Sequence, residues 1–223
     1  MTIARYFDDA ILKPGMTIEQ RKAEFQMGID AHSKTLCVQP CDIEVAQEMC
    51  KGTDTEVICV LDFPQGQASA DAKAMLAELY ASKGVKEIDM VLNYGYLKSG
   101  AVDKIEEEVR GVVEKAHAKN VAVKVIFETS ELNLEQIAAG TEACIAAGAD
   151  FVKTSTGFSA HGATVEAVQT MLDTAKGRIK VKPSGGIRDY ATAKMYLEMG
   201  AARLGVGTTG TMQIVAGEKE ANA

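Results

Sequence analysis

Four charged side chains stand where apolar ones would be expected. Asp89 interrupts Glu87-Ile88-Asp89-Met90-Val91, and Lys124 interrupts Val123-Lys124-Val125. Lys153 follows Phe151-Val152, and Lys182 follows Lys180-Val181. A charge in a strand covered on both faces must be paired or must open onto a polar cavity, because burying it alone is expensive. Four on successive units point to a polar site, with alternation placing Asp89, Lys153 and Lys182 near the C-terminal strand ends. The structural alternative is a buried pair in which Asp89 merely neutralises one lysine. A free lysine titrates near ~10.4, so only about one in 2,500 is neutral at pH 7. Imine formation needs that pKa lowered by about 3 units, or about 4 kcal/mol. A second lysine ~4 Å away, at an effective dielectric of ~20, provides a repulsion of about that size. Lys153 and Lys182 converging from neighbouring strands would therefore make an amine nucleophile. Asp89 would take up and return protons, directly or through water.

Two glycine-rich stretches indicate what such an amine would act on. Ser184-Gly185-Gly186-Ile187-Arg188 follows Lys182, and Gly205-Val206-Gly207-Thr208-Thr209-Gly210 closes the last apolar run. Bare backbone N–H groups at helix N-termini attract anions, and glycine lets a phosphate approach closely. Either stretch alone is an ordinary turn signal. Together they favour a phosphorylated substrate.

The elements that must position these residues follow from periodicity. Short apolar runs at 35–38, 57–61, 88–92, 121–127, 150–153, 179–182 and 202–206 read as buried parallel strands, with an eighth near Arg5-Tyr6-Phe7-Asp8. Helical spacing lies between them, as in Val102, Ile105, Val109, Val112, Val113 and Ala116. Asp42 and Asp71 stand where helix N-termini want acids, and Gly84, Gly148 and Gly200 where helices end. Repeated βα units without a linker predict one domain over residues 1–223, a single (β/α)8 TIM barrel. An open doubly wound sheet is the alternative, but no Gly-x-Gly-x-x-Gly follows the first strand. The 24 basic and 31 acidic residues give a net charge of −7, which argues against nucleic acid or membrane as partner. No apolar run is long enough to span a bilayer, and Met1–Asp9 lacks a signal pattern, so a cytoplasmic location is expected. The five cysteines read as reduced, buried small hydrophobes rather than as metal ligands, and Met75, Met195 and Met199 as core filler.

Nearly the whole chain resembles the deoxyribose-phosphate aldolase family of class I aldolases. Phe151–Phe158 is similar to that family's Schiff-base segment, Val181–Arg188 to the segment with its second lysine, and Glu87–Val91 to its aspartate strand. The resemblance implies a lyase that reversibly cleaves 2-deoxy-D-ribose 5-phosphate to D-glyceraldehyde 3-phosphate and acetaldehyde, without metal or organic cofactor. It implies that Lys153 forms the imine, Lys182 perturbs Lys153 and joins the proton relay, and Asp89 works as acid and base with Asp8 behind it. Gly157, Gly185, Gly186, Thr208 and Thr209 would hold the phosphate. It also leaves a homodimer open. The chain departs from the family at Asp8-Asp9-Ala10, where Asp-His-Thr is frequent, and at Thr208-Thr209, where Ser-Ser is usual. It departs again at Asp62-Phe63-Pro64-Gln65-Gly66, at His161, and in ending without the tyrosine of some members. These departures leave the imine chemistry in place and bear on acceptor preference and rate. The alternatives are a Schiff-base aldolase for another phosphorylated sugar and a noncatalytic phosphosugar-binding barrel.

Overall fold

The structure, a computed structural model, describes residues 2–222. Eight strands run parallel in the order β7-β6-β5-β4-β3-β2-β1-β8. They are β1 (Phe7–Ile11), β2 (Thr35–Val38), β3 (Glu56–Leu61), β4 (Glu87–Val91), β5 (Ala122–Ile126), β6 (Phe151–Lys153), β7 (Lys180–Lys182) and β8 (Leu204–Gly207). A few backbone bonds close the gap between β7 and β8. The amide of Ala202 donates to Val181 O at 3.0 Å and that of Gly205 to Pro183 O at 2.8 Å. The expected barrel is therefore the observed one, and the open-sheet alternative falls.

The helices lie outside it: α1 (Ile18–Asp30), α2 (Ile43–Cys50), α3 (Ala70–Ser82), α4 (Tyr94–Lys98), α5 (Val102–His117), α6 (Leu134–Ala147), α7 (Val165–Ala175), α8 (Tyr190–Glu198) and α9 (Thr208–Ala221). Local chemistry sets their ends. Capping boxes start α1 at Thr17/Gln20 and α6 at Asn133/Gln136. The side chains of Ser69, Thr164 and Asp189 cap α3, α7 and α8. Helix α6 stops at left-handed Gly148. The apolar face of α5 buries Ile105, Val109, Val112, Val113 and Ala116 against the sheet, as its spacing predicted.

Two hydrophobic regions result. The larger fills the space between strands and helices, with Leu36, Leu61, Ile88, Met90, Val123, Val125 and Val152 on the outward faces of the strands. The smaller groups Leu12, Cys37, Ile58 and Val60, with Phe63 packed against it. This smaller cluster lies on the β1–β3 side of the barrel.

Several details differ from the sequence expectation. The first strand begins at Phe7 and residues 3–6 form a 3-10 turn, pinned where Arg5 donates to the carbonyls of His32, Ser33 and Asp54. Asp42 makes no cap hydrogen bond; its carboxylate instead accepts both contacts of Arg21 Nη1, at 2.8 and 2.7 Å. Cys41 is exposed, unlike the other four cysteines, and Met75 is 71% exposed rather than core. Asp89 lies in the middle of β4 rather than near its end.

Asp9 alternates with Asp8 along β1 and faces outward, between α1 and α9. It is fully buried, and neither carboxylate oxygen makes a geometrically sound hydrogen bond. A side chain at Gly28 would begin 2.9 Å from its Oδ2, so glycine at that turn of α1 is what admits the carboxylate. Burial pushes Asp9 up to about 7, Glu24 adds to the rise, and the nearby hydroxyls of Thr211, Thr208 and Ser33 oppose it. Unfolded, Asp9 titrates near ~3.9, so between about pH 4 and 7 only the folded chain holds this proton. Its contribution to stability is then greatest below pH 4 and falls as pH rises through 7, by about 4 kcal/mol in all. Asp9→Asn should therefore gain on the wild type by about 3 kcal/mol between pH 5 and pH 8 in urea unfolding. An equal difference at the two pH values would show that Asp9 is not protonated in the folded protein.

Candidate active site

The charges the sequence placed in strands meet inside the barrel, beside the smaller apolar cluster. Register brings some of them level: Asp89 pairs with Lys124 across β4 and β5, and Lys153 with Lys182 across β6 and β7. Lys153 Nζ donates to Asp89 Oδ2 at 2.8 Å, and Lys182 Nζ to the same oxygen at 2.7 Å. Lys182 also donates to Asp8 Oδ2. Lys124 donates to Asp89 Oδ1 at 2.9 Å and to Glu87, and lies 3.4 Å from Asp8 Oδ2. Arg203, just before β8, reaches Asp8 Oδ1 at 2.6 Å and Glu87 Oε1 at 3.1 Å. Thr35 Oγ1 donates to Asp8 Oδ1 at 2.8 Å. Asp8, Asp89, Lys124 and Lys182 are completely buried and Lys153 is 2% exposed.

The cage contains four cationic side chains, Lys124, Lys153, Lys182 and Arg203, against three acids, Asp8, Glu87 and Asp89. Fully ionised, it carries one unmatched positive charge in a dry interior. The least costly relief is loss of a proton from one lysine. Burial opposes the charge on Asp89, but Lys124, Lys153 and Lys182 outweigh it and hold the carboxyl well below the usual range. Burial likewise opposes charge on Asp8, and Lys124, Lys182 and Arg203 outweigh it. Burial lowers Lys182 and, with Lys153 and Lys124 repelling it, overcomes the pull of Asp8 and Asp89. Burial acts the same way on Lys153, but there Asp89 prevails and raises it. The depressed lysine is thus Lys182, not Lys153 as the lysine-pair argument expected. The physical reason is that burial together with repulsion from both Lys153 and Lys124 prevails at Lys182, whereas at Lys153 the charge and hydrogen bond of Asp89 outweigh burial and Lys124. Burial also pushes the thiol of Cys37, on β2 beside the cage, up to about 12.

Above the cage opens a cavity of about 620 Å³ at the C-terminal ends of the strands. Gly157, Gly185, Gly186, Thr208 and Thr209 all line it, so the predicted anion-binding residues converge on one wall. Helix α9 starts there at Gly207 with no side-chain cap, which leaves its first amides free for a ligand. A Cβ at Gly205 would fall 2.3 Å from Ser184 Oγ and 3.3 Å from Lys182 Cε, so glycine is what lets the second lysine stand under this wall. Phe63 and Phe158 meet edge to face at 5.3 Å, with Phe158 lining the cavity. Lys13 and Arg188 add positive charge, and Glu24 and Gln213 also line the cavity. Sequence reasoning gave these four no role, nor Glu87 and Arg203. Arg203 did carry a signal, as a charge inside the run Ala202–Val206. Glu24 carried none, being one acid among several on an amphipathic helix.

Comparison with known proteins agrees with this architecture. The description "DeoC/LacD family aldolase" fits residues 8–211. A deoxyribose-phosphate aldolase of Caldanaerobacter subterraneus is 42% identical over 207 residues, covering 92% of this chain and 89% of that one. One from Streptococcus sanguinis is 41% identical over 219 residues, 98% of each chain. Among solved structures, the aldolase QR15 superimposes with a TM-score of 0.90 at 35% identity, over 99% of this chain and 97% of the other. The tetrameric deoxyribose phosphate aldolase of Aeropyrum pernix does so with 0.88 at 26% identity, over 98% and 92%. With likeness of this degree running from the first strand into the last helix, the chain belongs to the DeoC/LacD family of aldolases.

Proposed function

We propose that this protein is a class I aldolase that reversibly cleaves 2-deoxy-D-ribose 5-phosphate to D-glyceraldehyde 3-phosphate and acetaldehyde through a lysine Schiff base. The observation that carries the reading is the sharing of Asp89 Oδ2 by Lys153 and Lys182 beneath a glycine-lined anion cavity. Lys153, last residue of β6, is the nucleophile; the chain after it runs through Thr156, Gly157 and Phe158, which line the cavity. Its proton passes by way of Asp89 to Lys182, whose lowered pKa makes it the local base. The neutral amine adds to C1 of the open-chain sugar, and loss of water leaves an iminium. A base takes the proton of the C3 hydroxyl, the C2–C3 bond breaks, and its electron pair forms the enamine. Asp89, acting through water with Asp8 behind it, serves that transfer and then returns a proton to C2. Hydrolysis frees acetaldehyde and Lys153.

At the other end, the amides of Gly157, Gly185 and Gly186 and the hydroxyls of Thr208 and Thr209 hold the phosphate, with α9's N-terminus and the Lys13 and Arg188 charges behind them. No metal or organic cofactor enters these steps. A noncatalytic phosphosugar barrel has no use for three lysines converging on one aspartate. The wider reading has the whole chain acting as one domain, as a cytoplasmic homodimer. Support for the location is that no helix among the described residues is long and apolar enough to cross a membrane.

Borohydride reduction in the presence of acetaldehyde should leave one ethyl group on the protein, mapped by peptide mass to Lys153. No adduct, or an adduct on another lysine, would overturn the mechanism. Lys182→Met should move the pH profile of trapping upward by about one unit or more, because Asp89 then pairs with Lys153 unopposed and the base is gone. A profile that stays in place would remove Lys182 from the proton path.

A further inference from the structure

The phosphate end of the cavity contains a group that works against phosphate. Glu24, half-buried on α1, lines the same wall as Thr208 and the glycine loops. Its Oε2 accepts a hydrogen bond from Thr208 Oγ1 at 3.0 Å. That hydroxyl belongs to the first residue of α9, where the phosphate oxygens would sit. Behind it lies Asp9 on β1, fully buried and without a hydrogen-bond partner for either oxygen. Two of the chain's departures from its family, Asp9 and Thr208, are therefore neighbours in space, and Glu24 stands beside both. The cations facing this wall are Lys13, from the loop after β1, and Arg188, from the loop after β7. A phosphate dianion entering here meets two positive side chains but also one fixed carboxylate, and the Thr208 hydroxyl is already donated to that carboxylate.

We propose that Glu24 is a specificity-determining residue, whose carboxylate on Thr208 weakens the hold on the phosphate and shifts the enzyme toward unphosphorylated sugars and acceptor aldehydes. The proposal rests on the aldolase reading above. With a polar, uncharged wall the phosphate ester is held through Thr208, Lys13, Arg188 and the loop amides. With Glu24 ionised, repulsion cancels part of that attraction, and a neutral acceptor loses nothing. The wall also offers an acceptor of hydrogen bonds where an unphosphorylated substrate presents a hydroxyl.

Glu24→Gln tests this, because the amide oxygen still accepts from Thr208 while the charge is gone. The readout is the ratio of kcat/KM for 2-deoxyribose 5-phosphate to kcat/KM for 2-deoxyribose, measured on the same preparation. Removing one carboxylate from a partly exposed anion site should raise that ratio about three- to ten-fold. The inhibition constant of inorganic phosphate against 2-deoxyribose cleavage should fall by a similar factor. A ratio that stays within twofold, or falls, overturns the proposal and leaves Glu24 as a residue that only orients Thr208. If the wild type cleaves neither sugar, the aldolase reading itself fails and takes this inference with it. If it cleaves them but the ratio does not respond to Glu24→Gln, only the inference falls.

Discussion

One oxygen atom, Oδ2 of Asp89, accepts hydrogen bonds from both Lys153 and Lys182, and the interior of the barrel is arranged around that fact. Two ammonium groups this close repel strongly in a dry interior, and the carboxylate between them is what lets them coexist. The other oxygen of Asp89 holds Lys124, which is also bound to Glu87 and lies close to Asp8. Every charge in the cage is paired, yet the count of cations exceeds that of anions by one. The structure thus stores a proton that it can release at little cost, and a Schiff-base enzyme needs that state. The pairing that stabilises the barrel and the pKa asymmetry that prepares it for chemistry come from the same contacts.

The division of the interior explains why such a cage is tolerated. The β1–β3 side is closed by Leu12, Cys37, Ile58 and Val60. The β4–β8 side is ionic, and Phe151 lies beneath the cations of Lys124 and Arg203 at 5.5 and 5.7 Å. Lys153 is 2% exposed and Lys182 fully buried, so interactions among the charges keep their strength. Other buried charges have no such role. Lys73 is saturated by Glu108 and two carbonyls and ties α3 and α5 to the loops above them.

The substrate end follows a different rule. The chain as a whole is acidic, at −7, yet the cavity gathers Lys13, Arg188 and uncapped amides. An anion entering there would meet a local field opposite in sign to the overall charge. Glu24, bonded to Thr208 on the same lining, sets a carboxylate against that field, which is the balance on which its proposed role rests.

The sequence by itself determined the class of fold and singled out the candidate lysines. Short apolar runs, helical spacing and helix ends are local properties, and eight βα units leave few ways to bury both faces of a parallel sheet. Lys153, Lys182, Asp89 and the glycine loops were legible because each breaks a local pattern that burial would otherwise enforce. Tertiary structure alone decided which lysine is depressed, since that depends on how burial and the surrounding charges balance at each ammonium group and not on spacing in the chain. It alone brought Glu87 and Arg203 into the cage, turned the carboxylate of Asp42 from capping to pairing with Arg21, and set Glu24 against Thr208, 184 residues away. Such contacts cross the barrel, join its first and last units, or link neighbouring helical segments. Their distances are fixed by closure and register, which no periodicity along the chain encodes.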